Sequence, residues 1–220
     1  MHRIQFRIVR AQDVEGRPKR RRAETVERLL DAALETFADI GFAAASVEDI
    51  CRRGGFTRGA FYSSFRTRDE LFGALFARET ARELARAEEL LVGIEDEADP
   101  VATAVDACLS TFRADRTWVL VHTEYQLHAS RHPEAAAALR THVAALRTQL
   151  TGLIERGAAR AGLRLGVPAG ELAGILLALH GGLVLQQVSD DAGRASTGHG
   201  SDPPDLERTA LLLLLRSATS

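Results

Sequence analysis

The chain is poor in cysteine, in long apolar runs and in catalytic signatures, and each shortage removes a class of function. Only two cysteines occur among 220 residues, Cys51 and Cys108. They lie far apart without metal-ligand spacing, which suits a reducing cytosol and argues against a disulfide framework. Cys51 reads better as a small buried residue than as a redox sensor. The longest apolar runs, Gly174 to Leu185 and Ala210 to Leu215, fall short of the roughly 18 residues that span a bilayer. The N-terminus is basic but has no long apolar stretch before a cleavage site, so no secretory leader is expected. A soluble, cytoplasmic protein with no membrane partner is the expectation. No nucleophile elbow, phosphate-cradling glycine loop or pair of carboxylates flanking a cleft can be found, which argues against an enzyme, and no cofactor is implied. His128 and His132 are spaced as helical metal ligands can be, but Pro133 interrupts the helix and no third ligand is evident, so no metal is expected. There is no internal repeat.

What is present has the length for one large or two small domains. Charge is nearly balanced overall but uneven along the chain. Residues 1–70 hold about 14 basic and 11 acidic side chains, against about 14 and 19 in the remainder. A basic front on an acidic body suits a protein that offers one end to phosphates. The most informative stretch runs from Ser46 to Phe65, SVEDICRRGGFTRGAFYSSF. Ser46 and Asp49 form a capping box ahead of Ile50 and Cys51. Either Gly54 or Gly55 can supply the positive φ of a tight turn. Thr57 then caps a second helix, which carries Ala60, Phe61 and Phe65 toward a core. Two helices joined by such a turn form a helix-turn-helix, although a plain helical hairpin has the same pattern. Upstream, Val26, Leu29, Leu30, Ala33, Phe37 and Ile40 line an amphipathic helix ending in a glycine cap at Gly41-Phe42. Downstream, Thr67 and Glu70 read as a second capping box. Residues 1–22 read as a basic, flexible arm, with Ile4, Phe6 and Ile8 alternating like a strand that has no partner. The arm ends in Arg17, Lys19, Arg20, Arg21 and Arg22, either a solvated charge run or a phosphate or minor-groove contact. Thr25, Ser46 and Thr57 sit at helix N-termini, where free N–H groups favour a phosphate as well as a cap.

Helix, Gly-Phe, Ser-Val-Glu-Asp-Ile, Gly-Phe-Thr-Arg-Gly-Ala-Phe-Tyr-Ser-Ser-Phe and Thr-Arg-Asp-Glu-Leu, in register from about Glu24 to Leu75, resemble the DNA-binding domain of the tetracycline-repressor (TetR) family. Cys51 and Gly54 stand where that family usually has alanine, Phe56 where valine is common and Phe61 where leucine is common. The resemblance implies an all-α fold: a helix-turn-helix head over 23–67 and a helical effector-binding and dimerisation body over 68–220. It implies that the first turn of the second helix, with Arg58, Gly59 and Ala60, reads bases. Arg58 can pair with guanine O6 and N7 and Ala60 can touch a thymine methyl. Tyr62 falls where the family places a phosphate-donating tyrosine, and Ser64 and Arg68 are further backbone candidates. The function implied is a ligand-responsive, sequence-specific regulator of transcription. It would be a homodimeric repressor on a palindromic double-stranded DNA operator, released by an unidentified small molecule. A DNA-bound or architectural protein with no effector is the alternative.

The remainder reads as helical. Arg68 to about Gly93 forms one long helix, with Glu79–Arg82 and Glu83–Arg86 expected as pairs on its outer face. Helices are also expected from Pro100, over Trp118–Arg131, Glu134–Ala161, Glu171–Val188 and Asp205–Ser217, with Ser189–Pro204 a mobile loop. Glu171–Val188 and Leu206–Leu215 are apolar nearly all round, so both faces need covering. One cover is the protomer's own core and the other a second subunit, for which Leu172, Ile175, Leu179, Gly182, Leu183, Leu206, Leu211 and Leu214 are the interface candidates. Gly181-Gly182 would permit close approach, and a fully internal pair of helices remains the rival. The family's body holds a small molecule. The resemblance therefore makes Phe72, Phe76, Phe112, Trp118, His122, Tyr125, Gln126 and His180 candidate walls of an effector pocket, with His128 beside them.

Overall fold

A computed structural model describes residues 12–111, 116–197 and 206–219, with the side chains at 12–20, 111, 116, 184 and 187–197 outside that set. Among the described residues nine α-helices follow one another: α1 (Gln12–Ile40), α2 (Val47–Gly54), α3 (Arg58–Tyr62), α4 (Arg68–Leu90), α5 (Pro100–Thr111), α6 (Arg116–Ala129), α7 (Pro133–Arg160), α8 (Ala169–Thr197) and α9 (Leu206–Ala218). No strand occurs among the described residues; one isolated bridge joins Leu165 to Thr219. The fold is all-α, as expected.

The local signals set most boundaries. Ser46 and Asp49 exchange hydrogen bonds, Asp49 N–H to Ser46 Oγ at 3.1 Å and Ser46 N–H to Asp49 Oδ2 at 3.0 Å. Gly41 ends α1 at φ +82°, and Gly55 ends α2 at φ +69°. The second box is only half made. Thr67 Oγ1 accepts from Glu70 N–H at 3.0 Å, but Glu70 turns to Arg66 N–H at 2.7 Å. His132, extended, precedes Pro133 at the first turn of α7, where a missing N–H costs nothing.

Several expected boundaries move. α1 starts at Gln12, so residues 12–22, expected as part of a flexible arm, continue the first helix; Arg20 to Glu24 are good helix formers with no stop signal. Residues 1–11 lie outside the described set. α8 runs to Thr197, past the expected end at Val188, because Ala192, Arg194 and Ala195 outweigh the lone Gly193; residues 198–205 are outside the described set. α3 is short, since Ser63 and Ser64 are weak helix formers and Thr67 already caps α4. Ile40, expected on the buried stripe, is exposed at the end of α1.

Two apolar clusters hold the molecule. The first joins Leu29, Phe37, Phe42, Ile50, Phe61 and Phe65 of the head to Leu71, Phe72, Leu75, Val121 and Tyr125, so head and body share a core through α4 and α6. The second packs Leu84, Leu91, Ile94, Ala107, Leu150 and Leu153 at the far end. Arg78, nearly buried, straps α4 to α1 through Asp31 at 2.7 Å and Glu27 at 3.3 Å.

Candidate nucleic-acid interface

The turn between α2 and α3 is built so that one face of α3 must point outward. Gly55 lets Phe56 N–H return to Cys51 O at 2.8 Å, and Cys51 is buried, its thiol directed to Thr57 O at 3.6 Å. Burial, with Glu48 adding to it, pushes the Cys51 thiol pKa up, so it is an unreactive structural residue. Thr57 Oγ1 accepts from Ala60 N–H at 3.2 Å. With Phe61 and Phe65 in the core and Ala60 half-buried, Arg58, Gly59 and Tyr62 are left exposed. A Cβ placed on Gly59 would meet nothing closer than Thr57 Oγ1 at 3.7 Å. Nothing among the described residues therefore requires glycine there, and the bare backbone is open to approach from outside. Arg58 Nη1 lies 2.7 Å from Glu48 Oε1, and its guanidinium stands 5.8 Å from the Tyr62 ring. Glu48, in the first turn of α2, was not picked out from sequence.

The remaining candidates divide. Arg21 and Arg22 are exposed, and Arg22 donates to Ser63 O at 3.2 Å, which ties α1 to the end of α3. The side chain of Arg20 lies outside the described residues. Thr25 Oγ1 donates to Arg21 O at 2.9 Å, Ser46 is engaged in its cap, and Ser64 is half-buried. Arg68 departs from expectation. Its Nη1 donates to Phe42 O at 2.8 Å and to Ala45 O, with the guanidinium 5.1 Å from the Phe42 ring. The loop between α1 and α2 has carbonyls with no helical partner, and Arg68 satisfies two of them. It is a clamp inside the head and not a free phosphate ligand.

The expected pocket wall is also revised. Phe72 and Tyr125 are buried and stacked at 3.6 Å, with the Tyr125 hydroxyl donating to Asp69 at 3.2 Å. Phe76 packs on Trp118, and Trp118 stacks on His122 at 5.7 Å. These rings fill the shared core and touch one another. Gln126 is exposed, Phe112 lies outside the described residues, and His180 Nδ1 meets Glu207 Oε1 at 2.9 Å. An apolar chamber does exist in the body, but none of the expected wall residues among the described ones lines it; Leu172 and Leu211 do. Those two were expected at a subunit interface and are instead buried in their own protomer, because α8 and α9 each turn one face inward. Ile175, Leu206 and Leu213 are exposed at 47%, 55% and 68%. Gly182 is exposed, while Leu179, Leu183 and Leu214 are half-buried.

Glu83, expected in an outer-face pair with Arg86, points into the body. Burial pushes its pKa up to about 7, with His180 opposing and Glu79 adding to the shift. His122 goes the other way: burial holds its pKa down to about 4, and Nε2 has no hydrogen-bond partner among the described residues. The signs separate the two. Folded Glu83 keeps its proton where the unfolded chain has lost it, so its contribution to stability falls as pH rises from 4.5 to about 7. The folded chain resists protonating His122, so stability falls as pH drops from 6.5 toward 4. Glu83→Gln is expected to raise stability by ~1–3 kcal/mol above pH 7, with the gain shrinking toward pH 5. Denaturant melts across that range provide the check, and a pH-independent gain would refute the burial account.

A helix-turn-helix head sharing a core with a helical body is the architecture of a helix-turn-helix regulator. Residues 29–75, most of the helix-turn-helix head and the start of α4, match the family described as bacterial regulatory proteins, tetR family. Relatives of this chain include the HTH-type transcriptional regulator UidR of Escherichia coli K12, 31% identical over 116 residues, 53% of this chain and 57% of UidR. SrpR of Pseudomonas putida, another HTH-type transcriptional regulator, is 39% identical over 83 residues, 37% of this chain and 38% of SrpR. The matches thus span little more than half of UidR and less of SrpR. A transcriptional regulator of known structure from Rhodococcus sp. Rha1 is 26% identical, with a TM-score of 0.61 over 88% of this chain and 95% of that one. These relatives are all transcriptional regulators.

Proposed function

We propose that this protein is a cytoplasmic, ligand-responsive regulator of transcription that binds a palindromic DNA operator as a homodimer, represses from it, and is released by a small molecule. The observation that carries the reading is the outward turn Thr57–Tyr62, whose inward neighbours Phe61 and Phe65 fix its orientation while Arg58, Gly59 and Tyr62 remain open. Arg58 supplies base readout, Tyr62 and the Arg20–Arg22 cluster supply phosphate contacts, and residues 23–67 form the reading head. The exposed apolar residues Ile175, Leu206 and Leu213 support pairing of two bodies over residues 68–220. The apolar chamber supports a small-molecule effector.

Selection of bound sequences from a random duplex pool tests the reading. A palindrome with half-sites about one turn, 34–36 Å, apart is expected. Recovery of no sequence preference at modest ionic strength would end it. Replacing Arg20, Arg21 and Arg22 with alanine is expected to weaken binding to all sequences and flatten the salt slope. An unchanged slope would remove the arm from the interface.

A further inference from the structure

The body contains a partly open apolar chamber of about 110 Å³, lined by residues of α4, α5, α7, α8 and α9 and by none of α3. Leu91, Ala104, Leu153, Ala158, Leu176 and Leu215 represent its walls. Its volume exists because small residues on α5 and α7, Ala104, Gly157 and Ala158 among them, face leucines across the gap. Of the described lining residues, only Cys108 and Thr219 carry a polar side chain. Thr219 Oγ1 already donates its proton to Leu215 O at 2.8 Å, leaving only a weak acceptor toward a guest. Cys108 is a neutral thiol, because burial pushes its pKa up to about 12, with Glu207 adding to the shift. The chamber therefore offers a guest no charge and no strong hydrogen-bond partner. A polar guest entering it would give up water for nothing.

Carboxylates stand one helical turn beyond the walls. Glu83 precedes Ala87 by four residues on α4, and the buried Glu207 precedes Leu211 by four on α9. His180, four residues after Leu176 on α8, lies against Glu207, and Asp106 of α5 is held by Arg208 at 2.8 Å. These acids are offset by His180 and Arg208 and lend an anionic guest no partner, so a carboxylate entering the apolar walls would lose its hydration without replacement. Dry apolar cavities of ~150 Å³ accept benzene in another protein, which sets the scale for a guest here.

We propose that the chamber is a ligand site for compact, uncharged, hydrocarbon-like molecules, such as a single aromatic ring or a short branched chain, and that it rejects carboxylates of the same size. The regulatory meaning of occupancy rests on the ligand-responsive reading above; the occupancy itself does not.

The test titrates the full chain with benzene and with benzoate, following heat of binding and thermal stability. Saturable benzene binding with a raised melting temperature is expected, with no response to benzoate. Ala104→Leu and Ala158→Leu fill the chamber from different helices, and each is expected to weaken benzene binding by about tenfold or more. If one variant fails to fold, the other decides. Absence of saturable benzene binding, equal binding of benzoate, or benzene binding unchanged in a folded filled variant would each overturn the assignment. A duplex carrying the selected operator is followed in parallel. Benzene binding that leaves the duplex bound supports the site and counts against release by this ligand class, so the two readings fail separately.

Discussion

Arg58→Ala is expected to lower affinity for the preferred operator by 1–3 kcal/mol, about 5- to 150-fold, with a much smaller loss on unrelated duplex. The guanidinium sits on the exposed first turn of α3, where it can reach the O6 and N7 edge of a guanine. In the unbound protein it is held by Glu48 at 2.7 Å, and the two side chains are 63% and 47% exposed. An exposed pair of that kind contributes roughly 0–1 kcal/mol, less than a bidentate base contact. Glu48 therefore orients the arginine without trapping it. Glu48→Gln is expected to change operator affinity less than Arg58→Ala does. Tyr62→Phe keeps the ring beside Arg58 but loses the hydroxyl, so it is expected to weaken all duplexes alike. Binding isotherms for each variant on operator and scrambled duplex separate these outcomes. An equal loss on both duplexes from Arg58→Ala would make Arg58 a phosphate contact and leave base readout to other residues.

How far the sequence carried this picture depended on the range of each interaction. The caps at Ser46 and Thr57 and the left-handed glycines at 41 and 55 act over three or four residues, so the pattern of neighbours revealed them. Arg68 finds its acceptors 26 and 23 residues back in the chain, and no local pattern announces that. Glu83 could be paired on paper with Arg86, but α4 buries more than one stripe, and spacing alone does not say which face a carboxylate occupies. The aromatic residues of α4 and α6 suit a cavity wall and a packed core equally by type. The stacking of Phe72 on Tyr125 at 3.6 Å decides for the core. The chamber is lined by alanine, glycine and leucine, and small residues on a helix signal close packing as often as space. Glu207 did leave a trace: it is an acid four residues before Leu211 on an otherwise leucine-rich helix, and both are buried.

Phe42→Ala is expected to cost about 3–5 kcal/mol of stability. The ring is fully buried and lies 4.9 Å from Phe37, Tyr125 and His128, 5.9 Å from Phe72 and 5.1 Å from the Arg68 guanidinium. It therefore touches α1, α4 and α6 at once, and its own N–H donates to Glu124 Oε2 at 2.7 Å. The preceding residue favours glycine, chiefly for its backbone conformation. Gly41 sits at φ +82°, and a Cβ there would come 3.0 Å from Glu124 Oε2. One residue pair thus joins the end of the first helix of the head to the body. Removing the ring leaves a cavity where the head docks, so head and body should lose stability together. Typical domains hold only 5–15 kcal/mol in total, so the variant should unfold at a much lower urea concentration with a similar slope. Glu124→Gln keeps an acceptor for the Phe42 N–H and is expected to cost far less. A Phe42→Ala protein as stable as the parent would show that head and body do not share one core through this ring.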